Sequence, residues 1–259
     1  MEVIDQLGRK LHFDTIPKRI VSLVPSQTEL LVDLGLEDRI IGITKFCVHP
    51  LHLRKTKAIV GGTKQVHFNK IAELEPEIII CNKEENTEEM VIELQKIAPV
   101  WVSEIIDIKS NNEMITQLGR LFSVSEKASE IIKSINNELK TFRQFIDTKA
   151  VRKVAYLIWK NPYMAAGRNT FIDFLLKQNK YENIFQQKES RYPEILMDEL
   201  KDAEVILLSS EPFPFKDKNV FEIKNTLNND VEVRLVDGEY FSWYGSRLKN
   251  AFSYFKELH

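Results

Sequence analysis

SVSEKASEIIKSINNELKTFRQFI, residues 123–146, places apolar side chains at Ala128, Ile131, Ile132, Ile135, Leu139, Phe142 and Ile146, the three-to-four spacing of one helical face. Ser123 and Glu126 stand three apart, the pattern of a capping box that would start such a helix. Roughly 22 residues at about 1.5 Å each make a rod of about 33 Å, the width of a small domain. A rod of that length between two α/β segments fits a strut joining two lobes, and the competing reading is an ordinary crossover helix inside one sheet.

The flanks carry the α/β grammar. EVIDQLGRKLHF predicts a hairpin turning at Gln6-Leu7-Gly8 and ended by Pro17. IVSLV, RIIGI, AIVGG, EIIIC and PVWVS predict strands, with TELLVDLGL, NKIAEL and NTEEMVIELQKIA as the helices among them. No element is assigned between Ser103 and Ser123. Beyond the rod, RKVAYLIW, YMAAGRNTFIDFLLKQ, AEVILLSS and VEVRLVD supply strands and a helix, and SRLKNAFSYFKEL closes the chain as a helix. Short β-branched runs alternating with helices predict parallel sheets covered on both faces. The expected fold is α/β, two Rossmann-like lobes with parallel sheets joined by a single long α-helix. Its expected divisions are 1–122, 123–147 and 148–259.

A chain of 259 residues, 43% of them hydrophobic, exceeds one average core, in keeping with two lobes. Its 36 basic and 38 acidic residues nearly cancel and are interleaved, so nucleic acid is not an expected partner. Two cysteines, Cys47 and Cys81, are too few for a disulfide framework. The opening MEVIDQLGRKLHF lacks the basic and apolar regions of an export signal, and no run approaches the ~18 apolar residues of a spanning helix. On that reading an export signal, if the native product has one, was removed before this sequence begins, and a cytoplasmic location stays open.

In open parallel sheets ligands sit beyond the carboxyl ends of the strands. The loops there are PSQTE (25–29), TKFCVHP (44–50), GGTK (61–64), NKEEN (82–86), WKNPYMAAGRNT (159–170), SSEPFPF (209–215) and DGEYFSWYGSR (237–247). They concentrate rings: Phe46, Trp159, Tyr163, Phe213, Phe215, Tyr240, Phe241, Trp243 and Tyr244. Flat rings at loop tips suit a large conjugated ligand, whereas the plainer reading packs about half of them against their own lobe. Lys45, Lys64, Lys83, Lys160, Arg168 and Arg247 share these loops and could meet anionic oxygens, although each alone reads as a solvated surface charge. Gly167, Gly238 and Gly245 allow positive φ or close backbone approach, and Ser26, Thr28 and Asn169 are candidate helix caps.

Enzyme signatures fail: the chain has no GxSxG, GxxxxGK[ST], HExxH or helix-opening GxGxxG, and catalytic residues are therefore not assigned. The rival enzyme reading is a metal-dependent one with nitrogenase-like lobes, using Cys47, His49 and Cys81, but two or three such groups make an incomplete set.

RIVSLVPSQTELLVDLGLEDRIIGIT, a GG loop and IAELEPEIIICN resemble the amino-terminal lobe of class III periplasmic binding proteins, the helical-backbone receptors for cobalamin, ferric siderophores and haem that serve ABC importers. AAGRNTFIDFLLKQNKYENIF is similar to the corresponding part of their second lobe, and the helix from about Ser125 to Ile146 falls where their strut belongs. The resemblance covers nearly the whole chain. It implies a monomeric, extracytoplasmic receptor with no cofactor of its own, holding a metal chelate in a cleft between the lobes, a corrinoid ahead of a ferric siderophore or haem.

Carried onto these loops, the resemblance puts Pro25, Ser26, Phe46, Gly62, Thr63, Trp159, Arg168, Phe241 and Trp243 at the cleft, and the loop reading adds Lys83, Tyr163, Phe213, Tyr244 and Arg247. Family members dock on a permease through one glutamate per lobe. At the matching places this chain has His67-Phe68-Asn69 and Met197, so Glu73 and Glu199 are the expected substitutes, and a leaderless homologue that sequesters or senses its ligand is the alternative.

Overall fold

The computed structural model describes residues 1–227 and 231–259. The chain divides into two compact units, Met1–Asn136 with Tyr244–Lys249, and Asn137–Trp243 with Asn250–His259.

In the first unit β1 (Glu2–Ile4) and β2 (Lys10–His12) form the expected antiparallel hairpin. Asp5 shapes its turn by accepting from the Leu7 and Arg9 amides at 3.0 and 2.9 Å. The main sheet is wholly parallel and contains β3 (Ile20–Ser22), β4 (Ile40–Ile43), β5 (Ala58–Ile59), β6 (Ile78–Asn82) and β7 (Val100–Ser103). Their order is β5-β4-β3-β6-β7, with Val21 opposite Ile79 and Ile80 opposite Trp101. Every residue of β6, IIICN, is buried, because a central strand covered on both faces can use apolar side chains at successive positions. One core layer gathers Val21, Leu23, Ile71, Ile79, Cys81, Leu94 and Val102.

Four helices cross over between these strands: α1 (Pro25–Asp33), α2 (Leu53–Thr56), α3 (Phe68–Glu73) and α4 (Glu88–Leu94). The structure corrects the expected caps. α1 starts from Val24, which makes no side-chain cap, with Pro25 in the first turn; Ser26 and Thr28 lie inside the helix. Thr28 Oγ1 instead donates back to the Val24 carbonyl at 3.0 Å.

A further helix, α5 (Ile108–Leu121), occupies the stretch where the sequence reading assigned nothing. Asp107 caps it by accepting from the Ser110 amide at 2.7 Å, while the Ser110 hydroxyl receives the Asp107 amide at 3.0 Å. Ser123 closes α5 rather than opening the next helix. With φ of 58°, it donates to the Arg120 carbonyl at 3.2 Å while Val124 donates to Gly119 at 2.8 Å, a Schellman ending. The long helix α6 therefore runs Ser125–Ile146, 22 residues, with Ala128, Ile135, Leu139, Phe142 and Ile146 buried. A Cβ at Gly119 would lie 2.5 Å from that of Ala128, so the α5–α6 corner depends on glycine.

The second unit orders β10 (Tyr181–Asn183), β8 (Arg152–Trp159), β11 (Val205–Ser209) and β12 (Glu232–Val236) in parallel, and β9 (Met164–Ala165) turns back antiparallel on β8. Its helices are α7 (Phe171–Gln178), α8 (Asp217–Thr226), α9 (Gly238–Ser242) and α10 (Leu248–Glu257), the last beginning in the first unit. Thr170, not Asn169, caps α7 by accepting from the Asp173 amide at 3.0 Å; Asn169 takes the left-handed turn before it, with φ of 57°. One face of the sheet is aliphatic, with Ala155, Leu157, Ile206 and Leu208. The other carries rings: Tyr156 on Phe241 at 5.0 Å, Phe241 on Phe255 at 4.8 Å, and Phe142 on Phe252 and Phe255 at 5.7 and 6.0 Å.

Candidate functional site

In each unit the loops leaving the carboxyl ends of the strands gather the residues that sequence reasoning singled out. In the first unit they surround a groove of about 1040 Å³, lined by Lys45, Phe46, Gly62, Thr63, Phe68 and Met90 among others. Phe46, 49% exposed, stands at this groove with the Lys45 ammonium 5.0 Å from its ring centre. Gly61 carries φ of 129°, and a Cβ there would lie 2.5 Å from the Gln65 carbonyl oxygen, so the tight return of this loop requires glycine. His67, Phe68, Glu89, Met90 and Glu93 also line the groove. Glu89, Met90 and Glu93 escaped the sequence reading because they lie on α4 and not in the loops themselves, and His67 and Phe68 entered it only at the place of a docking residue.

The neighbouring loop is held by asparagines. Asn82 Oδ1 accepts from the Glu84 and Glu85 amides at 2.8 and 3.2 Å, and Asn86 Oδ1 accepts from the Asn82 amide at 2.8 Å. Asn86 Nδ2 then donates to the Thr63 carbonyl at 2.8 Å, which ties the NKEEN loop to the GGTK loop. Beneath lies a buried polar knot: Gln27 Nε2 donates to Ser103 Oγ and to Tyr244 Oη, the latter at 3.1 Å. Burial pushes the Tyr244 phenol up, so this ring keeps its proton. Pro25 and Ser26 are buried in the same first turn of α1.

In the second unit Trp159, 39% exposed, meets Phe213 edge-on at 5.8 Å, and Phe213 meets Phe215 at 4.8 Å. Lys160 pairs with Glu222, whose carboxylate also receives the Tyr163 hydroxyl at 3.3 Å. Those donors hold the Glu222 carboxyl below its ordinary range. Trp243, 7% exposed, donates its indole N–H to Glu211 Oε1 at 3.0 Å, and Ser242 Oγ donates to the same oxygen at 2.6 Å. Burial pushes the Glu211 carboxyl up despite these two donors, and the nearby Glu239 and Asp237 add to the effect. Glu211 lies in the SSEPFPF loop, where a single carboxylate beside rings makes no sequence pattern of its own.

Several candidates sit differently from expectation. Phe241 is fully buried between Tyr156 and Phe255, so its ring belongs to the core. Tyr244 belongs to the buried knot of the first unit. Arg247 is clamped by Glu29 through two bonds of 2.8 and 3.0 Å, and Lys83 by Glu104 at 2.5 Å. Arg168 is exposed and makes no ion pair or hydrogen bond among the described residues.

The donor set of the rival metalloenzyme does not assemble. Cys47 is buried with its sulfur 3.2 and 3.3 Å from the Thr28 and Thr44 hydroxyls, burial pushing its thiol up, and Cys81 packs in the aliphatic core. Among the described residues no three His, Cys, Asp or Glu side chains are placed to hold a metal. No described helix is long and apolar enough to cross a membrane.

Two α/β units, each with a mainly parallel sheet and elaborated loops at its strand ends, together with a 22-residue helix, define a helical-backbone binding protein fold. The chain belongs to the periplasmic binding protein family, whose model matches residues 20–227, and within it to the class III branch. It is 25% identical over 203 residues to a Bacillus subtilis protein named as an uncharacterized ABC transporter substrate-binding lipoprotein, YvrC, covering 75% of this chain and 62% of that one. It is 21% identical over 198 residues to the vitamin B12-binding protein of Vibrio campbellii, covering 74% and 70%. Its fold is similar to that of a periplasmic heme binding protein from Pseudomonas aeruginosa, with a TM-score of 0.81, 20% identity, and 93% and 92% of the two chains covered.

Proposed function

We propose that this chain is the substrate-binding protein of an ABC importer. It captures a metal chelate on the strand-end faces of its units and performs no chemistry on it. A corrinoid is the favoured ligand, ahead of a ferric siderophore or haem, and the working location is extracytoplasmic.

The pairing of the basic loop residues carries the choice of ligand. Of the six basic side chains in the strand-end loops, Lys83, Lys160 and Arg247 are matched to Glu104, Glu222 and Glu29, and Lys64 donates to the Glu84 carbonyl. Lys45 leans on Phe46, which leaves Arg168 as the cation most open to an anionic ligand. A multiply charged ferric complex needs several unspent cations. A bulky ligand of low net charge needs rings and backbone polar groups, such as Phe46, Trp159, Phe213 and the Gly62-Thr63 loop. The vitamin B12-binding relative supports the same choice.

Docking on a permease is assigned to Glu73 and Glu199. Glu73 is exposed at the end of α3. Glu199 is held by Lys188 and by the Leu196 amide at 2.8 Å, interactions that keep its carboxyl below the usual range.

A thermal-shift panel of cyanocobalamin, haem and ferric siderophores tests the reading. A ligand present at ~100 times its Kd stabilises by about 2.7 kcal/mol, so the cognate chelate raises the melting temperature clearly. A panel in which no chelate moves the transition removes the proposal.

A further inference from the structure

On the second unit, Ser209 and Ser210 lead from the end of β11 into Glu211. Trp243 and Ser242 both donate to its Oε1. Two residues on in the same loop, Phe213 donates its amide to the Ile158 carbonyl at 3.2 Å and meets Trp159. Glu211 makes no ion pair among the described residues, and its second oxygen, Oε2, takes part in no hydrogen bond. The charged neighbours that act on it, Glu239 and Asp237, are themselves acidic.

A carboxylate set among rings without a cation is costly unless a donor reaches it. Ser242 and Trp243 satisfy one oxygen and leave the other without a donor. A ligand edge bearing carboxylates or catecholates would place like charge against it, which disfavours that ligand. An edge bearing amide N–H groups would complete it.

We propose that Glu211 is a specificity-determining residue that receives amide N–H donors from the rim of the ligand and rejects ligands whose rim carries carboxylates. This rests on the corrinoid reading above and names the chemistry of the rim that the site accepts. The upward pressure of burial on the Glu211 carboxyl fits a group that gains from such a donor.

The test compares two corrinoids that share one macrocycle: dicyanocobinamide, with amides at its rim, and dicyanocobyrinic acid, with carboxylates there. Each is titrated at neutral pH into the full chain and into Glu211→Gln, which keeps an acceptor for Trp243 and Ser242 but removes the charge. The wild-type chain is expected to bind the amide form at least tenfold tighter than the acid, and Glu211→Gln to shrink that ratio at least tenfold, chiefly by improving the acid. Tryptophan fluorescence of the unliganded variant, unchanged from the wild type, shows that Trp243 keeps its place.

Equal binding of both corrinoids by the wild type overturns the inference, needs no variant, and leaves the corrinoid reading standing. An unchanged ratio in Glu211→Gln with unchanged fluorescence also overturns it, since Glu211 is then only a prop for Trp243. Binding of neither compound overturns the corrinoid reading and this inference with it.

Discussion

The two units each build a mainly parallel sheet and stiffen its functional edge in different ways. The first unit fixes its strand-end loops with side-chain amides: Asn82 and Asn86 hold the NKEEN loop against Thr63, and Gln27, Ser103 and Tyr244 lock the start of α1 from below. The second unit fixes its edge with rings, from the Phe142, Phe252, Phe255 and Phe241 cluster under the sheet to Trp159, Phe213 and Trp243 at its loops. Hydrogen-bonded loops hold position by direction, and ring clusters hold it by area. The first arrangement borders a groove, and the second sets one carboxylate, that of Glu211, against the Trp243 indole.

The difference predicts where each unit is most easily damaged. The largest effect is expected for Phe142→Ala. Removing a fully buried ring from the centre of the cluster should cost about 3–5 kcal/mol and lower the midpoint of urea unfolding followed by circular dichroism. If the midpoint does not move, the second unit does not depend on its rings.

In the first unit the counterpart is Arg247→Met, which leaves Glu29 without its mostly buried partner at the cost of about 2–4 kcal/mol. Adding Glu29→Gln should restore most of that loss in a double-mutant cycle, whereas additive losses would mean that the pair is not coupled.

A third change bears on binding more than on folding. Trp243→Ala should weaken chelate affinity more than tenfold, about 1.4 kcal/mol or more, in a titration monitored by ligand absorbance. Unchanged affinity takes Trp243 out of the site.

The last effect concerns pH. Burial, with Lys149, Arg234 and Arg152 as positive neighbours, holds the His259 imidazole at about 4, down from 6.5. The fold therefore keeps this ring neutral while the unfolded chain takes a proton below its ordinary range. Its contribution is complete above pH 6.5 and is lost as pH falls from there toward about 4. His259→Asn should flatten that part of the stability–pH curve, and an unchanged slope would contradict it.

Most of the architecture was legible because it is written in local patterns. β-branched runs such as IVSLV and EIIIC admit few readings other than buried parallel strands, and the apolar stripe of 128–146 specifies its helix without help. α5 was not legible, because IKSNNEMITQLGRL mixes Ser, Asn and Gly into a helix that depends on its cap at Asp107 and on packing of Met114, Ile115 and Leu118. Ser123 misled for a related reason: a serine three before a glutamate resembles a cap, and only the chain's turn into a left-handed conformation shows that it ends the helix before.

The site was readable as a set of loops and not as a set of contacts. A sequence lists Phe241 beside Trp243 without saying that one ring turns into the core and the other meets Glu211. Nor does it reveal that Arg247 is matched by Glu29, 218 positions away, or that Lys83 is matched by Glu104. Those long-range pairings shift the balance of the site from charge toward rings.

Equilibrium dialysis of the full chain against cyanocobalamin, with haem and a ferric tris-catecholate run in parallel, tests the central claim most directly. The account predicts retention of about one cyanocobalamin per chain with a Kd below about 1 μM, near −8.2 kcal/mol, and markedly weaker retention of the two anionic chelates. Tight retention of the ferric tris-catecholate with none of cyanocobalamin would contradict it.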